Sequence, residues 1–218
     1  MYMTRLFLDV ERRQTMQALA EPNHLHGAIE RAFSETRVRR LWRIDWFRDQ
    51  CCLLLVSEKQ PDLQHLADQF GFPHANPGWE TRDYSPLLNR LQNGQSWHFR
   101  LRANPIHSKI EGETKNTKRG RIYAHVTRAQ QKQWLMERAE SLGFLLEDNT
   151  YDVVNSSWLR FRKSGGSFVS FCAATFEGNL TVVDQDKFRD VLVSGIGREK
   201  AYGCGLLTIA QRREPRHD

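Results

Sequence analysis

The stretch GIGREKAYGCGLLTI, residues 195–209, joins a glycine-rich loop (residues 195–205) to an apolar run. The glycines of this loop are Gly195, Gly197, Gly203 and Gly205. Glycine permits positive φ and close approach of the backbone to a ligand, and clustered backbone N–H groups can bind anions. Arg198 and Lys200 add positive charge, and the run that ends at Ile209 is typical of a buried strand. The pattern predicts either a loop that binds a polyanion or a glycine-rich turn before an edge strand.

Two nucleotide-binding motifs are excluded by the spacing of these glycines. A P-loop requires a G-x-x-x-x-G-K-[ST] segment between a strand and a helix, whereas these glycines precede a strand and Lys200 follows Glu199. A dinucleotide-binding motif requires G-x-G-x-x-G at the start of a helix, and its third glycine would fall at Lys200.

The charge of the chain is concentrated in its centre. The 218 residues carry a net charge of +6 and have a pI of about 9.3. Residues 86–142 contain 11 Lys and Arg against 4 Asp and Glu, a net of +7, whereas residues 1–85 have 11 against 12, a net of −1. A solvated basic face is the simpler interpretation, but so uneven a distribution favours phosphate binding.

The cysteines and the apolar segments indicate a cytoplasmic protein. The cysteines are Cys51, Cys52, Cys172 and Cys204. No C-x-x-C pair occurs, so a zinc site is not expected. Cys51, Cys52 and Cys172 lie in apolar runs, and we expect them to be reduced core residues. Residues 2–10 are too short for a signal peptide, and no apolar run reaches the roughly 20 residues that cross a membrane. We expect no metal, no cofactor and no membrane partner.

Hydrophobic periodicity predicts a β-α-β-β-α-β order in residues 1–85. The predicted elements are a strand at 2–8, a helix at 22–33, strands at 38–47 and 51–57, a helix at 61–70 and a strand at 79–84. Asn23 is the expected N-cap of the first helix, and a polar connection precedes it. This order is the ferredoxin-like pattern.

Residues 86–218 repeat the same order, with a basic insertion at 106–121. The predicted elements are strands at 97–103, 151–161, 167–182 and 206–209, with helices at 127–142 and 184–193. The fold class is therefore α+β, with two tandem ferredoxin-like (RRM-like) domains, 1–85 and 86–218, and a basic cleft between them. Arg100 and Arg102 share one face of the first strand, where they could follow a phosphate backbone.

Four segments, in order along the chain, resemble the CasE family of CRISPR-associated repeat-processing endoribonucleases. They are MYMTRLFL at 1–8, FRLRANPI at 99–106, FEGNLTV at 176–182 and GIGREKAYGCGLL at 195–207. The resemblance implies two ferredoxin-like domains and metal-independent cleavage of the repeat hairpin in precursor crRNA. It also implies that the protein stays bound to its product as a subunit of the Cascade complex, beside other Cascade subunits.

Two histidines, His24 and His26, lie in the first turn predicted for the first helix. They are either surface residues or proton-transfer groups, because the positive end of a helix favours a neutral imidazole near pH 7. In the CasE family the active-site histidine belongs to this helix and precedes an aromatic residue by seven positions, as His26 precedes Phe33. The resemblance therefore favours His26, while His24 stays a competitor. Some relatives carry a tyrosine where this chain has Asn23, so no tyrosine role is carried over.

Cleavage of RNA requires neither a metal nor a protein nucleophile, because the 2′-hydroxyl beside the scissile phosphate can attack. The protein must position that hydroxyl, transfer protons and stabilise the phosphorane, and the products are a 2′,3′-cyclic phosphate and a 5′-hydroxyl. His26 is the predicted acid or base. Lys163 and Arg160 are the predicted phosphorane cations, and Arg162 is a further candidate for this role. The predicted RNA-binding residues are Arg100, Arg102, Lys115, Lys118, Arg119, Arg121, Arg162, Gly195, Gly197, Arg198, Lys200, Gly203 and Gly205.

Two other functions are open at this stage. One is a non-catalytic subunit of a ribonucleoprotein that binds an RNA hairpin, although no RNP1 motif of an RRM is present. The other is a purely structural subunit in which His26 has no chemical role.

Overall fold

The computed structural model describes residues 1–33, 40–75, 78–109, 121–163 and 165–211. Its first part contains β1 (Tyr2–Leu8), α1 (Arg13–Ala20), α2 (Pro22–Arg31), β2 (Leu41–Phe47), β3 (Gln50–Ser57), α3 (Gln64–Phe70) and β4 (Trp79–Asp83). The four strands form an antiparallel sheet in the order β2-β3-β1-β4. This is the strand order of the ferredoxin-like fold, as the sequence predicted.

The second part repeats this order around a second sheet. It contains α4 (Ser85–Asn89), β5 (Ser96–Ala103), β6 (Ile106–Lys109), β7 (Arg121–Ala124), α5 (Arg128–Ala139), β8 (Phe144–Leu145), β9 (Tyr151–Arg162), β10 (Phe168–Val182), α6 (Gln185–Ser194) and β11 (Leu207–Gln211). The sheet runs β11-β5-β10, with β9 paired to β10 and the short β8 at the end of β10. In the part of the chain that the structure describes, the strands β6 and β7 pair only with each other, and they form the base of the predicted basic insertion. The boundary predicted at 85/86 falls at the start of α4, between the two sheets.

Alternation along the strands of the first sheet explains how its two faces are used. On β3, Leu53 and Leu55 pack with the helices α2 and α3, whereas Leu54 and Val56 face the second domain and join its core. Because both faces are covered, β3 is an almost continuous apolar run.

Arg43 on β2 is buried between the two domains, with 1% of its surface exposed. Its guanidinium donates to both carboxylate oxygens of Asp45, at 2.8 and 2.6 Å. It also donates to the carbonyl oxygens of Arg100 and Leu206, at 2.7 and 2.8 Å, and to Oγ1 of Thr208 at 2.8 Å. A buried charge with all its hydrogen bonds satisfied ties β2 to β5 and β11.

Helix boundaries differ from the expectation mainly in the first domain. The polar connection contains a helix, α1, whose Thr15 and Ala18 are buried. The predicted N-cap at Asn23 is wrong, because α2 begins at Pro22 with Glu21 as its N-cap, and proline suits the first helical position. The predicted cap at Thr127 is confirmed, with a capping box to Gln130. No helix in the described part of the chain is long and apolar enough to cross a membrane.

All four cysteines are free and buried, as the sequence predicted for Cys51, Cys52 and Cys172. Burial, with the charge of Asp45, raises the pKa of Cys51 to about 11 and that of Cys52 to about 12. These thiols stay protonated at neutral pH and are unreactive packing residues.

Candidate active site and RNA-binding surfaces

The structure separates the two histidines of α2. His26 is partly buried, and its ring meets the ring of Tyr202 edge-on, with 6.4 Å between centroids and an interplanar angle of 73°. His24 is exposed and pairs with Glu21, with 3.0 Å between Nε2 and Oε2. His26 therefore faces the second domain, and His24 faces solvent.

Tyr202 lies at the centre of this arrangement, a position that its sequence context did not predict. It ends the short 3-10 turn Lys200–Tyr202 within the glycine-rich loop. Its ring contacts Phe161 edge-on at 4.9 Å and stacks with Phe171 at 6.1 Å, and the residue is 9% exposed. A single aromatic residue among glycines was the only local signal, and it does not show which partners the ring would meet.

Lys163, just after the end of β9, reaches the same ring. Its ammonium nitrogen lies 5.6 Å from the centroid of the Tyr202 ring. Hydrogen bonding to the Tyr202 hydroxyl, assisted by the charge of Glu199, raises the pKa of Lys163 above its usual value. Two of the three predicted catalytic residues, His26 and Lys163, thus contact the ring of the same tyrosine. We call these three residues the His26–Tyr202–Lys163 cluster.

The third predicted catalytic residue, Arg160, lies on the other face of β9. Alternation directs Phe161 into the cluster around Tyr202, so Arg160 and Arg162 face outward. The guanidinium of Arg160 lies 5.8 Å from the ring of Trp158, which is 50% exposed. The structure does not bring Arg160 to His26, and the outward face is a basic and aromatic surface instead.

The glycine-rich loop adopts positive φ at each of its four glycines, with values of 73°, 77°, 78° and 93°. A Cβ on Gly195 would lie 2.7 Å from Leu41, and a Cβ on Gly203 would lie 3.0 Å from Trp42. Leu41 and Trp42, which these two Cβ atoms would meet, belong to the first domain of the protein. The loop therefore packs the two domains together, with Gly197 and Arg198 exposed. RNA contact by this loop stays a prediction.

Lys200 is oriented toward the protein. Its ammonium donates to the carbonyl oxygens of Ser194 and Gly195, at 2.7 and 3.0 Å. A cation at the C-terminus of a helix satisfies the last carbonyls and stabilises the helix dipole. The phosphate contact predicted for Lys200 would have to compete with this cap on α6.

Arg100 and Arg102 share a face of β5, as predicted, but their surroundings differ. Arg100 forms ion pairs with Glu177 at 2.8 Å and with Asp45 at 3.3 Å. Arg102 is partly buried beside the glycine-rich loop, where its carbonyl oxygen accepts from the N–H of Gly205 at 2.7 Å. Because two carboxylates hold Arg100, Arg102 is the better placed of the two for a phosphate.

The base of the insertion is a hairpin with an aromatic surface. The ring of His107 stacks with that of Tyr123 at 5.8 Å and tilts against that of His125 at 4.7 Å, and the Arg121 guanidinium lies 5.6 Å from the Tyr123 ring. Burial and then the neighbouring His107 lower the pKa of His125. Of the basic residues predicted here, Arg121 is described, and Lys115, Lys118 and Arg119 lie outside the described residues.

The cluster joins an imidazole, a phenol and an ammonium group at the junction of the domains. An imidazole can transfer a proton and a neighbouring ammonium can stabilise negative charge on a phosphate. Among the described residues, no three His, Cys, Asp or Glu side chains are grouped as metal ligands. Two ferredoxin-like domains with basic surfaces and this cluster are the features expected in the class of RNA-binding proteins that carry out acid–base chemistry.

The chain belongs to the CRISPR associated protein family, which matches residues 1–211. It is 32% identical over 225 residues to the CRISPR-associated endoribonuclease Cse3 of Thermus thermophilus, across 96% of this chain and 100% of that protein. It is 33% identical over 128 residues to the CRISPR system Cascade subunit CasE of Escherichia coli, across 56% of this chain and 61% of that protein. The structure of Cse3 bound to 19-nucleotide RNA matches with a TM-score of 0.77 and 30% identity, across 96% and 100% of the two chains. The predicted family and fold are confirmed.

Proposed function

We propose that this protein is a metal-independent endoribonuclease that binds the repeat stem-loop of precursor crRNA and cleaves it. The observation that carries the proposal is the His26–Tyr202–Lys163 cluster, which joins a proton-transfer group to a cation. The similarity to a protein named as a CRISPR-associated endoribonuclease, over almost the whole chain, supports the same activity.

The cleavage is an internal transesterification. The 2′-oxygen loses its proton and forms a bond to phosphorus, while the bond from phosphorus to the 5′-oxygen breaks and that oxygen gains a proton. His26 transfers one of these two protons, and Lys163 stabilises the additional negative charge of the phosphorane. The products carry a 2′,3′-cyclic phosphate and a 5′-hydroxyl.

The RNA is gripped by surfaces outside the cluster. Arg160 and Arg162 extend along the outward face of β9, and Trp158 beside them offers a ring on which an unpaired base can stack. Phosphates of the RNA stem are contacted by Arg102, by Arg198 and by the β6–β7 hairpin of the protein, which includes Arg121. Such contacts position the RNA by its shape and charge.

After cleavage, the protein stays bound to the product hairpin and acts as a subunit of Cascade. Support comes from the E. coli relative, which is named as a Cascade subunit. Because precursor crRNA is a cytoplasmic transcript, the protein works in the cytoplasm.

Incubation with a repeat hairpin in EDTA tests the proposal. We expect cleavage to a 2′,3′-cyclic phosphate, and no cleavage of RNA with a 2′-deoxy nucleotide just upstream of the cut. Tight binding without any cleavage would support a non-catalytic hairpin-binding subunit instead. Cleavage of the 2′-deoxy RNA at the same bond would exclude 2′-hydroxyl attack.

A further inference from the structure

We infer that Tyr202 is a positioning residue that holds both His26 and Lys163 in the arrangement required for cleavage. The inference rests on the proposed function and adds a residue to it. The ring is placed against His26, from the first domain, and against Lys163, from the second.

The ring of Tyr202 is itself firmly held. Phe161 and Phe171 pack against it on the sheet side, and the residue is 9% exposed. The backbone is fixed as well, because the N–H groups of Tyr202 and Cys204 both donate to the carbonyl oxygen of Glu199, at 2.9 and 3.3 Å. A ring fixed in this way can restrict the groups that contact it.

Each contact has a defined consequence. The edge-on packing against His26 limits the orientations of the imidazole, so its nitrogens keep one direction relative to the RNA. The Lys163 ammonium lies 5.6 Å from the centroid of the ring, and hydrogen bonding to the hydroxyl raises the pKa of Lys163. Both interactions favour the charged form and restrain a long, exposed side chain. Both effects lower the cost of reaching the transition state without adding a contact to the RNA.

The helix that carries His26 offers no equivalent support. Asn23 lies one turn before His26, and its Oδ1 is buried without a hydrogen-bond partner. Among the described residues, the aromatic ring that contacts His26 is that of Tyr202. Support for the histidine therefore comes from the glycine-rich loop.

A double-mutant cycle tests the role of the hydroxyl. Tyr202→Phe keeps the ring and its packing, so we expect an unchanged melting temperature and unchanged RNA affinity. Single-turnover cleavage should slow by roughly 10-fold, the size expected for a lost hydrogen bond to a charged group. If the hydroxyl acts through Lys163, the double variant Tyr202→Phe and Lys163→Ala should cleave at the same rate as Lys163→Ala alone. The two losses of rate will then not add.

Tyr151→Phe is the matched control, because this buried hydroxyl donates to the carbonyl oxygen of Lys132 at 3.1 Å. Its effect on cleavage should be small and should add to that of Lys163→Ala. Cleavage by Tyr202→Phe at the wild-type rate, or additive losses with Lys163→Ala, would overturn the inference while leaving the proposed function intact. If the wild-type protein cleaves no hairpin at all, the proposed function fails with it.

Discussion

The two faces of β9 carry similar residues into different surroundings. On one face, Phe161 and then Lys163 meet Tyr202 and belong to the candidate active site. On the other face, Arg160 and Arg162 lie in solvent beside Trp158. Lys163 is one position from Arg162 and three from Arg160 along the chain, yet the alternation of the strand gives these cations different partners.

The comparison predicts that a cation of this protein acts according to the face of β9 that it occupies. A cation at the cluster should affect the rate of cleavage, because it meets charge that develops in the transition state. A cation on the outward face should affect binding and its salt dependence, because it meets a phosphate that is present throughout. Each prediction below tests one side of this division.

The largest effect should come from His26→Ala. Single-turnover cleavage in EDTA should fall roughly 10²–10⁴-fold, since a positioned proton-transfer group contributes that much. Hairpin affinity should stay near the wild-type value, because the phosphate contacts lie elsewhere. His24→Ala is the control, because His24 is exposed and paired with Glu21. Equal losses for the two variants would mean that His26 has no special role.

A smaller loss of rate is expected for Lys163→Ala. Removal of one group that stabilises charge in a transition state costs roughly 10²–10³-fold in catalytic rate. The equilibrium dissociation constant of the hairpin should change little. Arg162→Ala, one position away on the other face, should leave the rate at saturating protein unchanged. If Lys163→Ala weakens hairpin binding and leaves the cleavage rate unchanged, the two faces of β9 do not have the different roles predicted here.

The outward face should respond in the opposite way. For the double variant Arg160→Ala and Arg162→Ala, we expect weaker hairpin binding with an unaltered cleavage rate at saturating protein. Each lost phosphate contact should reduce the slope of log affinity against log salt by roughly 0.7–0.9 in magnitude. Binding titrations across a salt series measure this, and an unchanged slope would remove both arginines from the RNA interface.

Lys200→Ala should have the smallest effect on RNA. Because the ammonium caps α6, the variant should bind the hairpin with the wild-type salt slope. It should instead lower the free energy of unfolding by roughly 0.3–1 kcal/mol, the usual contribution of a cation at a helix C-terminus. Urea unfolding measures the loss of stability, and binding titrations across a salt series measure the slope of log affinity against log salt. A reduced slope would mean that Lys200 contacts RNA phosphates.

Local patterns were sufficient to predict most of the fold. The apolar runs at β1 and β3 and the cap at Thr127 are local signals, and each element formed where it was predicted. The helix α1 was not predicted, because its segment is largely polar and it buries only Thr15 and Ala18.

The candidate site was predicted only in part. The contact of His26 with Tyr202 and the separation of Arg160 from Lys163 both depend on how distant parts of the chain pack together. His26 followed from the family resemblance, and its neighbour Tyr202 is distant in sequence. The grouping of Arg160 with Lys163 came from their closeness in the chain. The alternation that was applied to Arg100 and Arg102 separates Arg160 from Lys163 as well.

The glycine-rich loop packs on Leu41 and Trp42 of the first domain and carries Tyr202 in the second. His26 belongs to α2 in the first domain, so the cluster exists only while the two domains are docked. Cleavage that depends on this cluster would therefore report domain docking directly. If the chain is divided between the two sheets and the halves are produced separately, neither half should cleave RNA. Mixing the halves should restore cleavage only to the extent that they reassemble.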